Sequence, residues 1–120
     1  MKKILYIEDD EDIASAVKII LENQGFKTEV AFCGKDGLMK AKEHFDLILL
    51  DIMLPDMSGW DIFEQLKGMR RTKFAFLSVI PVSGARLNEL RKSGVSDYIT
   101  KPFEKNDFIN RINKIFGMNK

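Results

Sequence analysis

Short apolar runs recur along this chain, and between them apolar residues return at helical spacing. Residues 4–7 (Ile-Leu-Tyr-Ile) read as a first strand. Residues 28–32 form a weaker second strand near an edge, residues 46–50 a third, 74–80 a fourth and 97–100 a short fifth. Ile13, Ala16, Val17, Ile20 and Leu21 repeat as one face of a helix that Gly25 stops. Residues 35–43 carry Leu38 and Ala41 on a short helix. Ile62, Phe63 and Leu66 mark a helix after Gly59, and Leu87 and Leu90 one that ends near Gly94. Phe108, Ile109, Ile112, Ile115 and Phe116 form the apolar face of a closing helix. Strict alternation of strands and helices predicts a single α/β domain. It has a parallel sheet, helices on both faces and right-handed crossovers.

The third strand carries the strongest chemical signal. Leu47-Ile48-Leu49-Leu50 has no polar face, as expected of a strand buried on both sides. Asp51 closes it, and Pro55 and Gly59 mark the loop into the next helix. A carboxylate there sits at the carboxyl edge of the sheet, where ligands bind in open α/β folds. Stability alone gives no reason for an acid at that tip.

Composition removes several functional classes. The 120 residues carry 19 basic and 18 acidic side chains, a net charge of +1, so no basic excess points to nucleic acid. No apolar run is long enough to span a bilayer. The apolar stretch after Met1-Lys2-Lys3 stops at Glu8, too soon for a signal peptide. Cys33 is the single cysteine. It excludes an internal disulfide and a multi-cysteine metal site, and it fits a reducing cytoplasm.

Other strand ends add groups that a parallel sheet collects on one edge. The first strand runs into Glu8-Asp9-Asp10, the fourth contains Ser78, and the fifth is followed by Lys101-Pro102. Two or three carboxylates with one lysine suit Mg²⁺ and a phosphoryl group: hard oxygen ligands for the cation, a point charge for the phosphate. Plainer roles exist for each residue alone. Acids from Glu8 to Asp12 favour a helix N-terminus, Lys101-Pro102 is a turn signal, and Ser78 fits a core hydroxyl. Met39, Met53, Met57 and Met69 read as packing. His44 reads as a surface residue with no partner. The joint occurrence in this chain order favours the chemical reading.

In these pieces the chain resembles the receiver domain of two-component response regulators. They are residues 4–10, the run from Asp46 through Asp51 to Gly59, and residues 93–103, ending Tyr98-Ile99-Thr100-Lys101-Pro102-Phe103. The resemblance covers essentially all 120 residues. It implies a flavodoxin-like (βα)5 fold with strand order 2-1-3-4-5, and no output domain within residues 1–120. It implies that Asp51 accepts a phosphoryl group from a histidine kinase or phosphotransfer protein. It implies Mg²⁺ on Asp9, Asp51 and the Met53 backbone carbonyl, with Glu8 acting through water. Lys101 would contact the phosphate, and the Lys101–Pro102 bond is often cis in the family. Tyr98 would be the aromatic switch. The expected output surface is residues 87–116, acting on a downstream protein, with a weak activation-dependent dimer through Asp97, Asp107 and Arg111. The chain departs from the family pattern after the fourth strand, where the spacing to Lys101 is one residue longer than usual. Ser78 is the expected switch hydroxyl and Ser83 the alternative. Two other readings stay open. One is a small Mg²⁺-dependent phosphatase, disfavoured because Met53 stands where a general acid is needed. The other is a receiver-like interaction module that is never phosphorylated.

Overall fold

The computed structural model describes residues 1–118. The elements alternate as β1 (Lys3–Ile7), α1 (Glu11–Asn23), β2 (Lys27–Ala31), α2 (Gly34–Lys40), β3 (Leu47–Leu50), α3 (Gly59–Leu66), β4 (Lys73–Ser78), α4 (Gly84–Lys92), β5 (Val95–Thr100) and α5 (Lys105–Ile115). The five strands form one parallel sheet in the order β2-β1-β3-β4-β5. The weak second strand lies at an edge, and β3 lies in the middle.

The central position explains the uniform hydrophobicity of β3. Ile48 and Leu50 face a core shared with α2, α3 and α4, through Leu38, Ile62, Phe63 and Leu90. Leu47 and Leu49 face the opposite core, built with Val17 and Leu21 of α1 and Phe108, Ile112 and Ile115 of α5. All four β3 side chains are fully buried, each contributing roughly 2 kcal/mol of transfer free energy. β1 is flanked by strands reached through crossovers in opposite directions. The crevice at the carboxyl ends of β1 and β3 is therefore the topological switch point.

Several element boundaries differ from the sequence reading; β2 and β3 move by one residue, to Lys27–Ala31 and Leu47–Leu50, and three others change more. β4 ends at Ser78, not residue 80; Val79 and Ile80 lie beyond it with 59% and 38% of their surface exposed. Their apolar character made the strand look longer than it is. β5 begins at Val95 with a register shift against Phe74/Ala75, two residues earlier than the polar Ser96 and Asp97 suggested. α2 runs from Gly34 to Lys40 rather than 35–43. Its N-terminus is held from a distance: Gly34 and Lys35 donate their backbone N–H groups to the Asp56 carboxylate at 2.7 and 2.8 Å. Another correction concerns His44, whose Nε2 lies 3.3 Å from Asp46 Oδ1.

Candidate functional site

The carboxyl edge of the sheet collects the acids. Glu8 follows β1, with its N–H donating to Ala31 O at 2.9 Å. Asp51 follows β3, with its N–H donating to Ile7 O at 3.1 Å. The loop after Asp51 is tightly folded. Met53 N–H donates to Asp51 Oδ1 at 3.3 Å, Met53 pairs with Ser58, and Gly59 N–H donates to Ile52 O at 2.8 Å. Gly59 is required by contact: a Cβ there would run into the backbone carbonyl of Asp51. Ser58 then caps α3, with Asp61 completing a capping box.

Glu8, Asp9 and Asp51 each present a carboxylate oxygen within 4.8 Å of the others. Glu8 and Asp51 are buried and Asp9 is exposed, so the cluster opens to solvent on one side. Lys101, at the end of β5, closes the other side. Its ammonium donates to Glu8 Oε1 at 2.6 Å and to Asp51 Oδ2 at 3.3 Å. Lys101 is itself buried, and its bond to Pro102 is cis. Asp10, next to the pair, serves structure instead: its side chain accepts from Ile13 N–H at 3.0 Å and caps α1.

This crowding splits the two buried acids. Burial pushes the Asp51 carboxyl up, Glu8 adds to the rise, and Lys101 and the Met53 N–H oppose it; the result is about 6. Burial also acts upward on Glu8. Hydrogen bonds from Lys101 and Tyr6 outweigh it and hold Glu8 below the usual carboxylate range. The distances give the same order, since the ammonium lies closer to Glu8. Burial lowers the Lys101 ammonium, but its two acidic partners more than compensate and leave it raised. Asp51 is thus the acid whose charge is least satisfied without a further cation.

Ser78 is fully buried at the last position of β4, opposite Thr100, and its carbonyl accepts from Lys101 N–H at 2.7 Å. Its hydroxyl accepts from Ile80 N–H at 3.3 Å. Ser83 is exposed and caps α4 by accepting from Arg86 N–H at 3.1 Å. Tyr98 is buried, its hydroxyl donating to Ile80 O. Its ring packs beside Phe76 and Trp60, at centroid distances of 6.0 and 6.5 Å. Asp97, Asp107 and Arg111 are not independent surface charges. Arg111 donates to both Asp97 oxygens at 3.2 Å and to Asp107 at 3.0 Å, and Asp97 is buried. Sequence reasoning missed Tyr6 as a member of the site. Its hydroxyl donates to Glu8 Oε1 at 2.8 Å. The available signal was a phenol two residues before an acid on one strand, hence on the same face.

Residues 4–113 match the response regulator receiver domain model. The chain belongs to this family. This receiver is 37% identical over 113 residues to the transcriptional regulatory protein DltR of Streptococcus agalactiae, covering 92% of this chain and 50% of that protein. The receiver thus spans about half the length of the curated relatives it matches. A CheY-like receiver domain protein of Methanospirillum hungatei superposes with a TM-score of 0.85 at 32% identity, covering 98% of this chain and 96% of that one. The BeF3-activated DrrB receiver domain superposes with a TM-score of 0.83 at 29% identity, covering 98% of each chain. No helix among the described residues is long and apolar enough to cross a membrane.

Proposed function

We propose that Asp51 is the phospho-acceptor of this receiver and that the group it gains is read out through the Ser78–Tyr98 edge of the sheet. The single observation that carries the reading is the convergence of Glu8, Asp9 and Asp51 within 4.8 Å, with Lys101 reaching both buried acids. A cation and an anionic group together account for three acids and a lysine gathered where the sheet alone needs none.

The donor set fits Mg²⁺, which prefers hard oxygens and commonly binds through one or two carboxylates plus phosphate oxygens. Asp9, Asp51 and the Met53 carbonyl would hold it, with Glu8 acting through water, and when bound it supplies charge neutralisation for the phosphoryl oxygens. An Asp51 oxygen attacks phosphorus as the donor's bond to it breaks, P–N for a phosphohistidine and P–O for acetyl phosphate. The leaving group takes the electron pair, and Asp51 carries an acyl phosphate. Lys101 moves its charge from the acids toward the new phosphoryl oxygens. Stabilising charge that develops in transfer is the main catalytic lever at such sites.

The acyl phosphate adds roughly −1.5 to −2 charges. The Ser78 hydroxyl leaves Ile80 N–H for a phosphoryl oxygen, and the loop from Val79 to Ser83 follows. Tyr98 is tied to that loop through Ile80 O, so its hydrogen bond has to adjust. The phosphoryl source is a histidine kinase or phosphotransfer protein, and the target is a downstream protein. The readout surface is the α4–β5–α5 face, which carries a groove of about 650 Å³ lined by Arg91, Asp97, Asp107, Arg111 and Lys114. A weak dimer on activation would use this face. Acetyl phosphate with Mg²⁺ should add one phosphoryl group by mass spectrometry. Omitting Mg²⁺, or Asp51→Asn, should remove it, while Asp10→Asn keeps most of it. Equal labelling of the wild type and Asp51→Asn refutes the reading. A phosphatase would instead turn over the donor catalytically without lasting label.

A further inference from the structure

Tyr6 is a buried phenol that phosphoryl transfer as described does not use. It lies on β1 in the core formed with α1 and α5, between Ile4 and Glu8, the residue that follows the strand. Its relative exposure is 0%, and that of Glu8 is 1%. A tyrosine in such a core is costly unless its hydroxyl is bonded. Here it donates to Glu8 Oε1 at 2.8 Å, the same oxygen that accepts from Lys101 Nζ at 2.6 Å. Glu8 Oε2 accepts from Asp10 N–H at 3.2 Å. Glu8 therefore has three protein donors. Two of them saturate Oε1, and Oε2 is the oxygen with accepting capacity to spare.

We infer that Tyr6 is a positioning residue: it holds Glu8 back on the lysine side of the cluster, so that Glu8 serves the cation through a bound water while Asp9 and Asp51 bind directly. The inference rests on the cation-binding reading above and adds a cause for the division of labour among its three acids. Glutamate has one more methylene than aspartate and reaches both its neighbour on the same face of β1 and the lysine of β5. Without the phenol, Oε1 keeps only the Lys101 ammonium, which must turn toward the phosphate when it arrives. Glu8 then has no fixed anchor on that oxygen. Partners outside the direct ligands commonly change metal affinity ten- to a hundredfold.

The test is a double-mutant cycle on Mg²⁺ affinity, with no phosphodonor present. Mg²⁺ is titrated into the wild type, Tyr6→Phe, Glu8→Ala and the double variant, and Kd is read from amide NMR shifts. Tyr6→Phe keeps the ring and its packing. Urea unfolding in EDTA checks that each variant is folded. We expect Tyr6→Phe to weaken Mg²⁺ about tenfold in the wild-type background and not at all beside Glu8→Ala, where no carboxylate remains to be positioned. An equal loss in both backgrounds, or no loss in the first, overturns the role of Tyr6. A wild type that binds no Mg²⁺ at millimolar concentrations overturns the cation reading itself, and the two failures are separable.

Discussion

Replacing the acceptor should make the metal-free protein more stable. Asp51→Asn keeps the shape and removes a buried charge; its one acceptor oxygen serves a single donor, either Met53 N–H, now on Oδ1, or Lys101, now on Oδ2. In the fold, burial and Glu8 raise the Asp51 carboxyl from 3.8 to about 6. Such an acid is destabilising wherever it must ionise in the fold. The folded state holds its proton up to about pH 6, and the unfolded chain loses it near pH 4. Between those values the folded state binds more protons, so stability falls as pH rises. The displacement corresponds to roughly 3 kcal/mol once pH exceeds 6. The Lys101 attraction is already contained in that displacement, since it opposes the rise. The gain above pH 6 is then about 3 kcal/mol, on the order of 10 °C in Tm for a domain of this size. The assay is urea unfolding in EDTA at pH 4 and pH 7.5. Asp51→Asn should exceed the wild type at pH 7.5 and match it at pH 4. Millimolar Mg²⁺ should narrow the gap by stabilising the wild type more, by mass action. A variant less stable at both pH values, or a gap independent of pH, refutes the account of strained charge at this site.

Further expectations follow from individual contacts. Asp9→Ala should weaken Mg²⁺ more than Glu8→Ala, because on the proposed assignment it removes a direct ligand; calorimetric titration gives the order, and the reverse order would reassign the two acids. Ser78→Ala should still be phosphorylated at Asp51 but should leave Tyr98 unresponsive to beryllium fluoride by NMR. Ser83→Ala should keep both responses and lose about 1 kcal/mol from the α4 cap; a beryllium fluoride complex with Ser83 on the anion would transfer the switch role to it. Gly59→Ala should cost about 1–3 kcal/mol by overpacking, because its Cβ meets the rigid Asp51 carbonyl rather than a mobile side chain. Unfolding at unchanged urea midpoint would show that the loop can yield.

The architecture was legible because each strand's burial is written in its residues. β3 reads as apolar throughout since both its faces are covered, and β2 reads as weaker since it lies at an edge. Asp51 stood out for the same reason, as a charge at the end of a run that wanted none. Local chemistry also carried Asp10 to its place as a helix cap. Apolar identity failed at Val79 and Ile80, because an exposed hydrophobic residue in a loop looks like one in a strand until its surroundings are known. α2 began early because Asp56, 22 residues from Gly34, supplies the cap from another loop. The pairing that makes the site belongs to tertiary structure alone. Glu8 and Lys101 are 93 residues apart. Only the parallel order β2-β1-β3-β4-β5 brings all the strand ends to one edge, where burial strengthens each charge interaction and makes every unpaired acid costly. Tyr6 read as one more strand residue, and it took the packed β1 to show its hydroxyl reaching Glu8. Side-chain direction on a strand follows from the period of two, but which groups meet at its end is decided by the neighbours the fold provides.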